Sequence, residues 1–240
     1  MKTHLKSLFH LFIILFIVSG CYINFPESIT GNGNVVTNER DVENFHGLEV
    51  STGIDVEITQ ANSNELILEA DENLHDVIKT VVENGILKIY AEKNIRMAKA
   101  KQVYLNYKDI EIIRISSAGD VKGKNTLVTQ DLDISLSSAG DLFLDIEADR
   151  LEVNISSSGN ARLSGKSNYL DADLSSAGDL NAFDLEVKKA KVSVSSAGDA
   201  KVFITEEASL SSSSAGDIIY KGEPKTVNVR TSSGGDIRKY

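Results

Sequence analysis

Six aspartates recur along the second half of the chain at nearly constant spacing: Asp120, Asp141, Asp179, Asp199, Asp217 and Asp236, with Asn160 where the series lapses. Carboxylates this far apart make no local acid–base pair. They meet only if the chain coils back on itself at the same period. Stacked at the separation of neighbouring strands, ~4.8 Å, two of them would repel by about 0.9 kcal/mol in water. Two chemistries suit such a ladder. One is a row of cation sites, whose oxygen ligands fit calcium. The other is turn formation, each carboxylate accepting a hydrogen bond from a turn amide. The second is the stronger reading, because Gly-Asp is ordinary turn chemistry and the period is not that of calcium-binding nonapeptides.

Three phenylalanines, Phe143, Phe183 and Phe203, fall on the outward parity of the same segments. Exposed rings there could bind a sugar or a protein partner. Phe183 and Phe203 sit five residues past successive repeat glycines, so they could stack; the competing expectations are that a loop or a second copy covers them, or that the parity slips after the corner. His46 and His75 have neither metal-ligand nor triad spacing, and read as surface or edge residues. The many serines lack the G-x-S-x-G context and a base, and a nucleophile repeated seven times has no mechanistic use.

The element that positions all of these is Ser-Ser-Ala-Gly-Asp. Its copies begin at Ser116, Ser137, Ser156, Ser175, Ser195, Ser213 and Ser232, the third reading SSSGN and the last SSGGD. The repeat glycines Gly119, Gly140, Gly159, Gly178, Gly198, Gly216 and Gly235 are spaced by 21, 19, 19, 20, 18 and 19 residues. A period of about 20 marks a solenoid, whose units cannot each bury an apolar face alone. Between copies the residues alternate. Leu132, Ile134, Leu136, Leu142, Leu144 and Ile146 share one parity, and Asp133, Ser135, Phe143 and Asp145 the other. That is a strand pattern, apolar side inward. The parity predicts a second row of inward serines, Ser117, Ser138, Ser157, Ser176, Ser196, Ser214 and Ser233, bonded to the next coil's backbone. Glycine at the corner supplies room and unusual dihedrals. No helical period intervenes. The sequence predicts an all-β, right-handed parallel β-solenoid of about seven coils.

The chain divides into four. Residues 1–20 read as a signal peptide: Lys2 and Lys6, then an apolar run from Leu8 to Val18 too short to span a bilayer. Val18-Ser19-Gly20-Cys21 resembles the lipobox of bacterial lipoproteins, which implies cleavage before Cys21 and its lipidation. Residues 21–30 form a tether. Tyr22 after the cysteine, rather than aspartate, points to the outer membrane. Residues 31–110 read as an irregular β cap with one degenerate coil (Leu48 to Ile58), a helical turn near Glu72–Lys79 and an Asn84-Gly85 hairpin. Residues 111–240 are the solenoid. Arg230, Arg238 and Lys239 in or beside its last coil would discourage end-to-end pairing; the alternative is that a second copy covers that end.

The formal charge of −10, from 25 basic and 35 acidic side chains, argues against nucleic acid as a partner. Losing Lys2 and Lys6 with the leader takes it to −12, so acyl chains rather than headgroup electrostatics would hold the protein to a membrane. One cysteine leaves no disulfide framework within the chain.

The opening GNGNVVTNERDVENFHGLEVSTGIDVEI, the NGILKI hairpin, the VYLNYKDIEIIRIS strand pair and the SSAGD coils together resemble the bacterial family called putative auto-transporter adhesin, head GIN domain. The resemblance runs from about Val35 to the C-terminus. It implies a secreted or lipid-anchored β-helical protein with no established catalytic residues. Gly53-Ile54-Asp55 stands where the family name suggests Gly-Ile-Asn. The expected function is therefore non-enzymatic: a lipid-anchored envelope protein, adhesin-like, with a glycan or envelope protein as partner, homo-oligomerisation open, and no cofactor unless the ladder holds calcium. The alternatives are a calcium-assisted polysaccharide-active enzyme, by fold analogy alone, and a scaffold within an envelope complex.

Overall fold

The computed structural model describes residues 27–240. The signal peptide, Cys21 and the first part of the tether lie outside them. In chain order the strands of the first half are β1 (Ser28–Thr30), β2 (Val35–Arg40), β3 (Gly47–Val50), β4 (Asp55–Gln60), β5 (Glu65–Asp71), β6 (Ile78–Glu83), β7 (Ile86–Ala91), β8 (Asn94–Met97) and β9 (Lys101–Tyr107). Those of the second half are β10 (Ile112–Ile115), β11 (Asp120–Gly123), β12 (Leu127–Leu136), β13 (Asp141–Ile155), β14 (Asn160–Leu174), β15 (Asp179–Val194), β16 (Asp199–Ser212), β17 (Asp217–Lys221), β18 (Thr226–Thr231) and β19 (Asp236–Lys239).

The fold is the parallel β-solenoid, of about seven turns, that the period requires. Each coil stacks in parallel register on the one before it: β12 on β13, β13 on β14, β14 on β15 and β15 on β16. The apolar parity points into a single continuous core running from Phe45 to Ile218. Leu142, Ile146, Leu151, Val153, Val192 and Val202 are wholly buried.

The stack starts before the first repeat. β3 and β4 pair in parallel with β10 and β11, and on their other side with β7 and β9. There the direction changes. β5 runs antiparallel to β9, β2 antiparallel to β5, and β6 antiparallel to β7. The β6–β7 link is the expected two-residue hairpin, with Asn84 and Gly85 both at positive φ (53° and 75°). The helical turn is a short 3-10 segment, Glu72–Leu74, whose Leu74 is fully buried. These antiparallel strands close one end of the rod. The other end stops at β18 and β19.

The corners differ from the sequence reading in one respect. Each repeat makes a four-residue turn, closed by a bond such as Gly140 N–H to Ser137 O (3.2 Å). The two central residues are left-handed, for example Ser138 (φ 52°) with Ala139 (φ 62°) and Ser176 (51°) with Ala177 (59°). The expected inward serine row is therefore turned out: Ser117, Ser138, Ser157, Ser176, Ser196, Ser214 and Ser233 are all exposed. Two successive left-handed residues swing the second serine and the alanine outward, yet deliver the glycine back to the inner parity.

The glycine is there for space. It is not among the residues at positive φ. A Cβ on Gly140 would sit 2.7 Å from the Cγ2 of Ile115, and one on Gly178 would sit 2.8 Å from the carbonyl oxygen of Ile155, both in the preceding coil. Turn backbones are themselves laddered, Ala139 N–H to Ser157 O (3.1 Å) and Ala177 N–H to Ser196 O (3.1 Å).

Candidate functional site

Two long surfaces flank the row of corners, one on each side, and both follow from the register.

On the far side of the turn runs the aspartate ladder. Asp120 pairs with Asp141, Asp141 with Asn160, Asn160 with Asp179, and on through Asp199 and Asp217 to Asp236. The ladder has one more rung than the repeat announces. Asp55 pairs with Asp120, because Ser51-Thr52-Gly53-Ile54-Asp55 is the first corner, with Thr52 and Gly53 left-handed (φ 59° and 67°). The signal was Ser and Asp at the repeat's own four-residue spacing; Ile54 in the glycine's place hides it. The expected turn-amide bond is not made. The amides at these positions donate to the preceding coil, Asp141 N–H to Gly119 O (3.0 Å) and Asp199 N–H to Gly178 O (3.0 Å). Among the described residues no ladder carboxylate accepts a turn amide.

The ladder's electrostatics are uneven. Burial pushes the Asp120 carboxyl above its usual range, with the charges of Asp55 and Asp141 adding to this and Lys101 opposing. Burial and then Asp199 push Asp179 up, with Lys201 opposing. The ends are answered by cations. Lys101 Nζ donates to the Gly53 carbonyl beside the first rungs, and Arg238 bonds Asp236 at 3.0 Å. Lys201 and Arg238 also stand over the last rungs, where Asn160, Asp179, Asp199 and Asp217 line a shallow groove of about 430 Å³. Among the described residues no three His, Cys, Asp or Glu side chains converge in a way that could hold a metal ion.

The near side of the turn carries a surface that the parity argument missed. A groove of about 630 Å³ runs along the rod, lined by the first serine of the first six repeats (Ser116, Ser137, Ser156, Ser175, Ser195, Ser213) and by the row two residues before each corner (Glu49, Arg114, Ser135, Asn154, Asp173, Ser193, Ser211). Register brings these together: Arg114 lies beside Ser135, Ser135 beside Asn154, Asn154 beside Asp173, and Asp173 beside Ser193. Only Ser195 among the first serines bonds a protein atom through its hydroxyl, at 3.4 Å to Leu174 O. The hydroxyls of Ser116, Ser137, Ser156, Ser175 and Ser213 have no partner among the described residues. Ser-x-Ser at Ser135/Ser137, Ser193/Ser195 and Ser211/Ser213 was the readable trace.

The phenylalanines separate. Phe143 is 39% exposed, between Lys122 and Arg162 of adjoining coils. Phe183 and Phe203 do not stack on each other. The pairing slips between Ala182 and Glu186, which sets Phe203 opposite Glu186. Lys221 Nζ lies over both rings, at 5.3 and 4.9 Å, and Tyr240 meets Phe183 edge-on at 5.5 Å. Lys221 thus partly covers both rings, and the C-terminal Tyr240 adds to the cover of Phe183 alone. His75 is an internal brace, its Nε2 lying 3.2 and 3.3 Å from the carbonyls of Val36 and Ala70.

The opening GNGN is held by a residue that no sequence pattern singled out. Asp71 is 1% exposed and accepts the amides of Gly33 (2.9 Å), Lys99 and Ala100 (both 3.1 Å). Burial alone would raise its pKa. The three amides, with the charge of Lys99, outweigh that and hold the carboxyl below its usual range.

A rod of stacked coils, capped at one end and repetitive along its flank, places the chain among the β-solenoid proteins. The family model described as putative auto-transporter adhesin, head GIN domain, matches residues 44–224, and the chain belongs to that family. Three solved structures share the fold. A putative adhesin of Bacteroides fragilis is 21% identical, with a TM-score of 0.80 over 88% of this chain and 100% of that one. A putative adhesin of Parabacteroides merdae is 19% identical, TM-score 0.72, over 89% and 99%. A putative lipid binding protein of Parabacteroides distasonis is 23% identical, TM-score 0.72, over 89% and 100%. No curated protein matches the sequence.

Proposed function

We propose that the protein is a lipid-anchored, non-enzymatic binding protein of the bacterial cell envelope, held through Cys21 at the outer membrane and presenting its serine-lined flank to an extended, hydroxyl-rich ligand such as a glycan. The observation that carries this reading is repetition. The groove offers a serine hydroxyl at one coil after another, from Ser116 to Ser213, and all but that of Ser195 are without a partner among the described residues. A chain of similar sugar units can meet such a surface in many equivalent registers. A catalytic centre needs a local, asymmetric cluster instead. Neutral hydroxyls also suit a partner that a net charge of −10 neither draws in nor repels.

The test is a glycan-array screen of residues 27–240, run with and without calcium. Binding that is lost in Ser175→Leu/Ser195→Leu supports the groove. Binding indifferent to both changes would move the site elsewhere, with Phe143 the next candidate. Calcium at the aspartate ladder is the other ligand proposed: saturable uptake by calorimetry, abolished in Asp179→Asn/Asp199→Asn, would make those carboxylates a site. Lipidation is checked separately. Mass spectrometry of the membrane-bound protein should find acyl chains on Cys21, and Cys21→Ser should release the protein; a soluble wild type refutes the anchor.

A further inference from the structure

Among the described residues, the parallel stack carries no cap on its C-terminal coil. β18 bonds β16 and β19 bonds β17, and among the described residues neither has a strand on its outer edge. Val227 and Val229 continue the inward column, stacked in register on Ala208 and Leu210. Yet they are 39% and 49% exposed, where Ala208 and Leu210 are 2% and 1%. An unpaired, partly apolar edge of this kind is a template for one more rung.

We infer that this end is an isologous docking surface for a second copy of the same chain, paired antiparallel, edge to edge, across a two-fold axis. The chain's own N-terminal segment cannot fill it. It enters through β1, which pairs with β8 beside the cap, at the opposite end of a stack roughly 40 Å long. In the anchored chain, cut before Cys21, residues 21–26 reach about 20 Å at most. The edge is instead complementary to itself. Asp236 and Arg238 point outward on either side of Ile237, both exposed. Antiparallel pairing centred on Ile237 sets Asp236 of each copy opposite Arg238 of the other, so no like charges face one another. The positive residues of the last coil then act as a registration device rather than as a barrier. The contact is one coil wide, which places it in the weak, transient class of interfaces.

If the anchor is at the cap end, as the proposed envelope role requires, the open ends face away from the membrane. Pairing would then join rods on facing surfaces, and many weak contacts would add through avidity. That consequence, like the exclusion of the N-terminal segment from the open edge, rests on the anchored reading.

Residues 27–240 carry the continuous core and the nineteen strands described above, and include no cysteine, so they serve for the test. Sedimentation equilibrium across a concentration series should show a monomer–dimer exchange. Asp236→Arg should weaken it by roughly tenfold or more, and Asp236→Arg/Arg238→Asp should restore it. Ile237→Cys should form a disulfide dimer on mild oxidation, since facing antiparallel residues lie within disulfide range. Val229→Lys, at a position already half exposed, gives a second disrupting variant that leaves the coil's register alone. A protein that stays monomeric at every concentration and gives no Ile237→Cys dimer overturns the inference. A dimer in solution, with no clustering of vesicles bearing the full-length anchored chain, overturns the adhesive consequence and leaves the pairing standing.

Discussion

Leu66 and Leu68 in β5 are buried to 1% and 0% at one end of the rod, whereas Val227 and Val229, on the same inward parity at the other end, are 39% and 49% exposed. Both ends terminate a parallel stack. The first does so by reversing strand direction, so that β5 and β2 continue the sheet antiparallel and finish on the polar, exposed Thr37, Asn38 and Glu39. Leu74 and Val77 fill the space left beneath. Among the described residues the last coil has no such device. A parallel ladder presents the same unpaired edge at every rung, so only a change of direction or a covering element can stop it. The molecule therefore has one finished end and one end built like its own interior.

The sharpest way to break that contrast is truncation at equivalent positions. Leu68→Ala should cost about 2–5 kcal/mol in chemical denaturation, the range for a fully buried leucine. Val229→Ala should cost under about 0.5 kcal/mol in dilute solution, as for other surface changes. Equal costs would mean that the open end is covered even in the monomer.

Asp71→Asn tests the finished end next. The native carboxylate takes three amides, and its pKa is held below the unfolded value. Its contribution is thus present above the unfolded pKa, near 4, and is lost as pH falls through the lower folded pKa. The variant should be less stable at neutral pH and lose less on acidification. Hydrogen exchange should speed up at Gly33, Lys99 and Ala100 while the last coil is unchanged. Uniform acceleration along the rod would show that the clamp is not local to the cap.

The interior coils differ from both ends in their corners. The first corner has Gly53 and the last Gly234 at the second left-handed position, where the middle coils have Ala or Ser. A left-handed L-residue costs roughly 1–2 kcal/mol, and glycine gives part of that back as chain entropy. Ala177→Gly should therefore stabilise by about 0.5–1 kcal/mol in thermal unfolding, and Gly234→Ala should destabilise by a similar amount. A loss on Ala177→Gly would show that the methyl group, not the dihedral, matters there.

What the sequence disclosed follows from what is local. Period and parity located the coils and the core, and Asn84-Gly85 located the hairpin, because each depends on neighbours in the chain. The serine row was misplaced because parity counts residues and not dihedrals: the alternation resumes correctly after the turn, so nothing in it betrays that Ser138 and Ala139 point out. Asp55 was passed over because Ile54 breaks the motif, although the coil shape persists. Asp71 could not be found, since its three amide partners come from Gly33, Lys99 and Ala100, far away along the chain. The serine groove was half legible. Its residues were in view, but concavity arises from how successive corners stack.

The smallest effect separates the ladder's middle from its ends. Asp236 is paired with Arg238 at 3.0 Å, while Asp179 has Asp199 as its neighbour in register and is only partly offset by Lys201, as Asp120 is by Lys101. Burial and that neighbour raise the folded pKa of Asp179. An acid whose pKa is raised by folding weakens the fold when ionised, so this term favours the protein as pH falls toward the folded pKa and opposes it above. The group is largely solvated, so screening leaves only a fraction of the bare repulsion, about 0.9 kcal/mol at ~4.8 Å in water. Asp179→Asn should raise stability at neutral pH by a few tenths of a kcal/mol, less so at high salt, and should do nothing near pH 3. Asp236→Asn should lower it slightly, because it removes a paired charge. If both changes had the same sign, the ladder would be uniform and the cations at its ends would be ornamental. If Asp179→Asn were destabilising in calcium and stabilising without it, the row would be held together by a bound cation, and Asp179 and Asp199 would be where that ion sits.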